Sequence, residues 1–175
     1  MRPAIKQFDA VVTERVQAIQ LPGFGAVMWG ATLIGHGVIL GIGALILASL
    51  AYRDEQWDAA QAFVIAIVLM GVYNGSKFLF RRPRPDNAYA ARHRSSSFPS
   101  GHAADSMAVL GLAGYIGATT LISPWWQLAL VAGITAPLLI GVSRIYLGAH
   151  YPTDVLAGWL FALVGLTTTI LFFHL

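Results

Sequence analysis

The sequence predicts an all-α integral membrane protein: five transmembrane helices plus an N-terminal amphipathic interfacial helix. Three observations carry that expectation. First, 57% of the 175 residues are hydrophobic and 11% are charged. Soluble domains average about 25% charged, so this surface is too apolar to face water all round. Second, charge-free stretches of membrane length recur, from Leu21 to Tyr52 and between Asp105 and Arg144. Third, the charges gather at what become the ends of those stretches. The same composition excludes disorder, which needs low hydrophobicity and high charge. With no cysteine, disulfides, zinc–thiolate sites and cysteine nucleophiles are excluded too. Net charge is +3 with a pI near 9.5, but so apolar a chain is not expected to bind nucleic acid.

Each element follows from local chemistry. In residues 1–22, Ile5, Phe8, Val12, Val16 and Ile19 recur at helical spacing while Lys6, Asp9, Glu14 and Arg15 fall elsewhere. This pattern predicts a helix lying on the membrane surface, ended by Pro22-Gly23. Its spread charges do not fit a signal peptide. Residues 26–175 read as a five-helix bundle and, with the interfacial helix, as one membrane-embedded domain. A hydrocarbon core of ~30 Å needs roughly 20 apolar helical residues. Span one lies within Ala26–Ala51, where Gly37 and Gly41 form a small-xxx-small pair suited to close packing. His36 there is expected to pack inside the bundle. Span two runs from about Ala59 to Phe80. The sequon Asn74-Gly75-Ser76 falls inside it and is read as meaningless. Ser123-Pro124 breaks the next stretch into spans three (Gly101–Ile122) and four (Trp125–Leu147). Span five is Thr153–Phe173.

Parity then places the loops. The loops 81–100 and 148–152 must share one membrane face. That face holds Lys77, Arg81, Arg82, Arg84, Arg92, Arg94, His102, Asp105, Arg144, His150 and Asp154. The opposite face carries Arg53, three acids, and Trp57, Trp125 and Trp126 as an interfacial belt. Two histidines and a carboxylate would suit a metal, but Lys77, Arg84 and Arg144 would repel one, so no metal and no cofactor is expected. The same cations favour a phosphate. Ser100 and Gly101 open a helix whose free N–H groups and dipole also suit an anion. Asp154, four residues after His150, can accept one imidazole N–H and leave the other nitrogen a lone pair, the arrangement of an oriented nucleophile or base. Attack on phosphorus would give a phosphohistidine. His102 can protonate the leaving oxygen and then activate water.

These residues carry a resemblance. Lys77-x6-Arg84-Pro85, Pro99-Ser100-Gly101-His102 and Ser143-Arg144-x5-His150-x3-Asp154 together resemble the three-part signature of the type 2 phosphatidic acid phosphatase superfamily. The match is complete and in order, and spans Lys77 to Asp154, about 45% of the chain. The resemblance implies a metal-independent phosphatase with His150 as nucleophile, Asp154 as its orienter and His102 as general acid. Lys77, Arg84, Ser100, Gly101, His102 and Arg144 would hold the phosphate. The apolar spans point to the membrane lipid-phosphatase branch, acting on polyprenyl diphosphate or on a phospholipid or lipid A phosphate. Beyond the signature, Arg81, Arg82, Arg92 and Arg94 are expected to meet anionic headgroups or a second phosphate. Asp105 is expected to pair structurally with a loop arginine or to tune His102.

Two other functions fit the same features: a lipid-to-lipid phosphotransferase, and a non-catalytic anionic-lipid binder or transporter. The His150–Asp154 pair, which binding alone does not require, favours an enzyme. The partners implied are a lipid phosphate substrate and membrane lipids. The expected location is a bacterial cytoplasmic (inner) membrane. Lysine and arginine counts favour a cytoplasmic active site; the resemblance favours the outer face, and the expectation leans that way.

Overall fold

Helices are the regular structure of the computed structural model, which describes residues 3–87, 90 and 95–175. Arg92 and Arg94 of the basic loop lie outside the described residues. In chain order the helices are α1 (Pro3–Gln17), α2 (Phe24–Ile34), α3 (Gly37–Arg53), α4 (Trp57–Gly75), α5 (Gly101–Thr120), α6 (Trp125–Tyr146) and α7 (Pro152–Phe173). A 3-10 turn, Ser76–Phe78, extends α4. Counting the 3-10 turn with α4, the expected spans two to five match α4 to α7 within about two residues at each end, because charge and proline set those boundaries sharply.

Span one departs from expectation. The stretch from Ala26 to Ala51 is two helices, α2 and α3, bent by 56° at the Gly35–His36 break. Gly-His-Gly has weak helix propensity, and the apolar content on either side hides the break from a hydropathy reading. His36 is therefore not packed inside the bundle. It stands exposed at the break and caps α3, its Nδ1 accepting the Val38 N–H at 3.4 Å.

Trp57–Phe78, Trp125–Tyr146 and Pro152–Phe173 are each long and apolar enough to cross a membrane, and α2 with α3 makes a fourth if the bent pair is one span. α5 is not among them. It sits centrally, packed against α3, α4, α6 and α7, and its first turns carry His102, Asp105 and Ser106. A helix so enclosed by other helices needs little lipid-facing surface. The outer helices supply that surface instead, with exposed Ile42 and Ile46 on α3, Val64 and Val68 on α4, Leu128 and Val131 on α6, and Leu160 and Val164 on α7. Each pair recurs at three- to four-residue spacing, one stripe per helix.

Close helix approach uses a different glycine pair from the one expected. A Cβ at Gly41 would meet nothing within 4 Å. At the α5–α6 crossing, by contrast, a Cβ on Gly114 would meet the Ala129 carbonyl at 2.9 Å, and one on Gly133 the Leu110 carbonyl at 3.1 Å. Backbone contacts of that kind are what small residues permit in the absence of a hydrophobic drive between helices.

The N-terminal helix is tied to the bundle as well. α1 packs on α6 and α7, and Val16 joins a cluster with Ala103, Ile145 and Val155. The residue it buries most deeply is Asp9, 2% exposed, while Ile5 and Phe8 point outward. Its inward side thus combines a polar anchor, Asp9, with one end of its apolar stripe at Val16.

Candidate active site

Four chain segments converge at one end of the bundle. The 3-10 turn after α4 presents Lys77, the N-terminus of α5 presents His102, the last turn of α6 holds Arg144, and α7 begins with Asp154 in its first turn. Backbone hydrogen bonds fix this convergence. The N–H of Ser100, which caps α5, donates to the Asp154 carbonyl at 3.0 Å, joining α5 to α7. The N–H groups of Ala149 and His150 donate to the Arg144 carbonyl at 2.9 and 3.2 Å, folding the loop back onto α6. Gly148 makes that reversal with φ +67, where glycine is the least strained residue. The Asn87 side-chain amide closes the turn by donating to the Gly148 carbonyl at 2.7 Å. The result is a cavity of about 420 Å³ lined by Lys77, Arg84, His102, Asp105, Arg144 and His150, among others.

His150 is almost fully buried. Its Nδ1 lies 2.7 Å from the Ser97 carbonyl, which only accepts, so Nδ1 carries the proton. The lone pair is then on Nε2, 3.4 Å from an Arg84 N–H. The expected hydrogen bond from the imidazole to Asp154 is replaced by this carbonyl contact. Asp154 Oδ2 stands 3.8 Å from Nδ1, near enough to act by charge. Asp154 is itself held by the Ser97 hydroxyl, the Tyr151 N–H at 2.9 Å and Arg82 at 2.5 Å. Ser97 therefore serves both members of the pair, an arrangement that i,i+4 spacing alone does not disclose.

The cations are held by identifiable partners. Arg84 donates to the Ser95 carbonyl and hydroxyl, each at 3.0 Å, and to the Ala149 carbonyl at 3.1 Å. Arg144, 1% exposed, donates to Thr32 Oγ1 at 3.2 Å, and Thr32 bonds Ser143 at 2.7 Å. Lys77 donates to Asn74 Oδ1 at 2.9 Å. The Asn74 amide N–H2 faces Asp105, at 3.1 and 3.0 Å from its two oxygens, and the Met70 carbonyl. Because a carboxylate only accepts, Asp105 forces the Asn74 oxygen toward Lys77. Among the described residues, Asp105 thus pairs with Asn74 and with no loop arginine. Gly101 has room for this pair because a Cβ there would meet Lys77 Nζ at 2.8 Å.

The remaining expected residues divide. Ser100 is fully buried, makes no cap bond, and its hydroxyl has no hydrogen-bond partner among the described residues. His102 lines the cavity with its ring edge-on to His36, centroids 6.0 Å apart. Arg81 is exposed on a second cavity of about 600 Å³. That cavity shares Asn74, Lys77, Arg84 and Ser95 with the first. Arg82 is not a headgroup contact: it turns inward between Asp9 and Asp154 and stacks 4.2 Å over the Tyr151 ring. Sequence reasoning missed Asp9, Thr32, Asn74, Ser97 and His36 as neighbours of the site. The sequence draws notice to Asn74 as a sequon, to His36 as a residue within a span and to Asp9 as a helix charge, each for a reason unrelated to the site.

Comparison with known proteins gives the chain its relatives. The chain is 29% identical over 160 residues to phosphatidylglycerophosphatase B of Bacillus subtilis, covering 89% of this chain and 78% of that protein. It is 41% identical over 107 residues to an undecaprenyl-diphosphatase of Sulfolobus acidocaldarius, covering 57% of this chain and 46% of that one. The crystal structure of a transmembrane PAP2-type phosphatidylglycerolphosphate phosphatase from Bacillus subtilis superposes with a TM-score of 0.77 at 26% identity, over 98% of this chain and 87% of that chain. Residues 58–175 match the family model described as PAP2 superfamily. With most of its length inside that match, and with apolar helices long enough to span a bilayer, this integral membrane protein belongs to the PAP2 superfamily.

Proposed function

We propose that this lipid phosphatase hydrolyses a phosphate monoester or diphosphate on a membrane lipid, without a metal ion, through a phosphohistidine at His150. The observation that carries the reading is the His150 tautomer. Nδ1 is committed to the Ser97 carbonyl, leaving Nε2 as a lone pair beside Arg84 in a cavity lined by Lys77 and Arg144. In the first step Nε2 attacks phosphorus, the P–O bond to the lipid breaks, and His102 delivers a proton to the leaving oxygen. In the second, His102 accepts a proton from water as that water attacks phosphorus, a P–O bond forms and the P–N bond breaks, releasing phosphate and restoring His150. Lys77, Arg84 and Arg144 stabilise the charge on the transferring group. The α5 N-terminus adds N–H donors through Gly101.

The second cavity supports a diphosphate. It extends the first past Lys77 and Arg84 to Arg81, with Phe78 and Phe80 on its wall. A terminal phosphoryl group at His150 leaves that basic space for the inner phosphate and the start of the tail. Polyprenyl diphosphate is accordingly the favoured substrate, ahead of a phospholipid or lipid A phosphate. α5 is read as a fifth crossing enclosed by the others, in a bacterial inner membrane with the site on its outer face.

Phosphate release from undecaprenyl diphosphate by the detergent-purified protein is expected to be unchanged by EDTA. Loss on chelation, with recovery on adding a divalent metal, would overturn the mechanism. Acidity offers a second test. His150 lies in the loop between α6 and α7, outside the spanning helices. Burial pushes its imidazole from the ordinary 6.5 down to about 4, aided by Arg84 and Arg144 and opposed by Asp154. The attacking form is the neutral one, so kcat/KM should hold as pH falls through 6.5 and decline only near pH 4. A pH profile with its acid limb centred near 6.5 would contradict this placement of His150.

A further inference from the structure

α1 reaches the catalytic pair through one arginine. Arg82 NH2 meets Asp9 Oδ2 at 2.6 Å and Arg82 NH1 meets Asp154 Oδ1 at 2.5 Å, with side chains 14%, 3% and 0% exposed respectively for Arg82, Asp9 and Asp154. Thr153 completes the knot. Its N–H and hydroxyl each donate to Asp9 at 2.9 Å, and Arg82 NH1 donates to its hydroxyl at 2.8 Å. The main chain of Arg82 reaches the other support of His150, because its carbonyl accepts the Ser97 N–H at 2.9 Å. Arg82 therefore touches both groups that face Nδ1: Asp154 through its side chain and Ser97 through its backbone.

We infer that Asp9 and Arg82 are positioning residues for the nucleophile, so that the N-terminal helix is part of the active site. The inference rests on the reading of His150 and Asp154 given above. A buried carboxylate needs a hydrogen-bonded countercharge, and removing one member of such a cluster leaves another uncompensated. Here two carboxylates share one guanidinium, whose planar fork meets both. The cluster retains one net negative charge beside the imidazole, which favours the positive charge that develops as Nε2 attacks. Replacing Asp9 by Asn lets Arg82 neutralise Asp154 fully. Replacing Arg82 frees Asp154 to leave its position. Either change acts on turnover and leaves the phosphate cations of the cavity in place.

The test uses the full chain and phosphate release from undecaprenyl diphosphate. Asp9→Asn and Arg82→Gln are each expected to lower kcat about 10-fold or more, the usual effect of losing an outer partner of a reacting group, with KM held within about twofold. Arg82→Lys, which keeps the charge but loses the fork, should behave like Arg82→Gln. Asp9→Glu should recover most of the loss. In an Asp154→Asn background, Asp9→Asn should add little, since its route to His150 is already cut. A rise in KM at unchanged kcat would show that Asp9 merely fastens α1. So would full multiplicative loss in the Asp154→Asn background. A thermal unfolding midpoint near that of the unaltered protein excludes a folding defect, and Asp9→Glu and Arg82→Lys carry the test if the neutral variants unfold. Wild-type turnover in Asp154→Asn alone would sink the reading of the nucleophile itself, a result separable from any effect at Asp9.

Discussion

His150→Ala is expected to lower kcat/KM by about 10⁴-fold or more, as loss of a covalent nucleophile does, while phosphate still binds. The two halves of that expectation come from different parts of the site. Chemistry depends on Nε2, whose lone pair is secured by the Nδ1 contact with the Ser97 carbonyl. Binding depends on Lys77, Arg84 and Arg144, each of which keeps a partner other than the imidazole, namely Asn74, Ser95 and Thr32. Binding of inorganic phosphate or vanadate to the mutant should therefore still be detectable when turnover is gone. A phosphoramidate is labile in acid and stable in base, so phosphoenzyme trapped from labelled substrate should show that profile in the unaltered protein. It should be missing from His150→Ala. Residual activity within about tenfold of the starting protein, or a phosphoenzyme that survives the substitution, would remove His150 from the nucleophile's role.

The part of this site that was legible in the sequence is the part in which residue type is dictated by chemistry. Lys77, Arg84, His102, Arg144, His150 and Asp154 sit at helix ends or in the loops beside them, at one end of the bundle, and counting helices along the sequence was enough to expect them together. What orients them was not legible. Asp9 and Arg82 are 73 residues apart in the chain, Thr32 and Arg144 are 112 apart, and Ser97 and His150 are 53 apart. Such pairings depend on which side of each helix the packing turns inward, and composition does not encode that. α1 illustrates the difficulty. Its apolar spacing predicts a helix lying on the membrane surface and gives no sign that Asp9 would be the residue it buries in the protein, because the ion pair that draws Asp9 inward has its partner in a distant loop. The α2–α3 bend escaped for a related reason: hydropathy averages over Gly35-His36-Gly37 and registers only its apolar surroundings.

Arg144→Ala should be the second most damaging change, lowering kcat/KM by about 10³-fold, the scale of a lost transition-state arginine. Arg144 lies in the last turn of α6, 1% exposed, and is held from α2 by Thr32. Thr32 is itself fixed by Ser143, which bonds the Ile140 carbonyl at 2.6 Å. With its hydroxyl proton spent on that carbonyl, Ser143 accepts from Thr32, so Thr32 Oγ1 offers a lone pair to the guanidinium. A guanidinium can meet Thr32 with one N–H and a phosphoryl oxygen with another, but a lysine ammonium lacks the planar fork. Arg144→Lys is therefore expected to restore no more than about tenfold of the loss. Most of the effect should fall on kcat, since the charge that Arg144 meets is greatest while the phosphoryl group is in transfer. Thr32→Val keeps the shape and removes the acceptor. It should cost about tenfold, in the same parameter, without touching substrate. Steady-state kinetics on the three variants, with unfolding temperatures to exclude a packing defect, decide the matter. If Arg144→Lys is as active as the unaltered chain, the site needs only a positive charge at this position, and the Thr32–Ser143 chain has no part in aiming it.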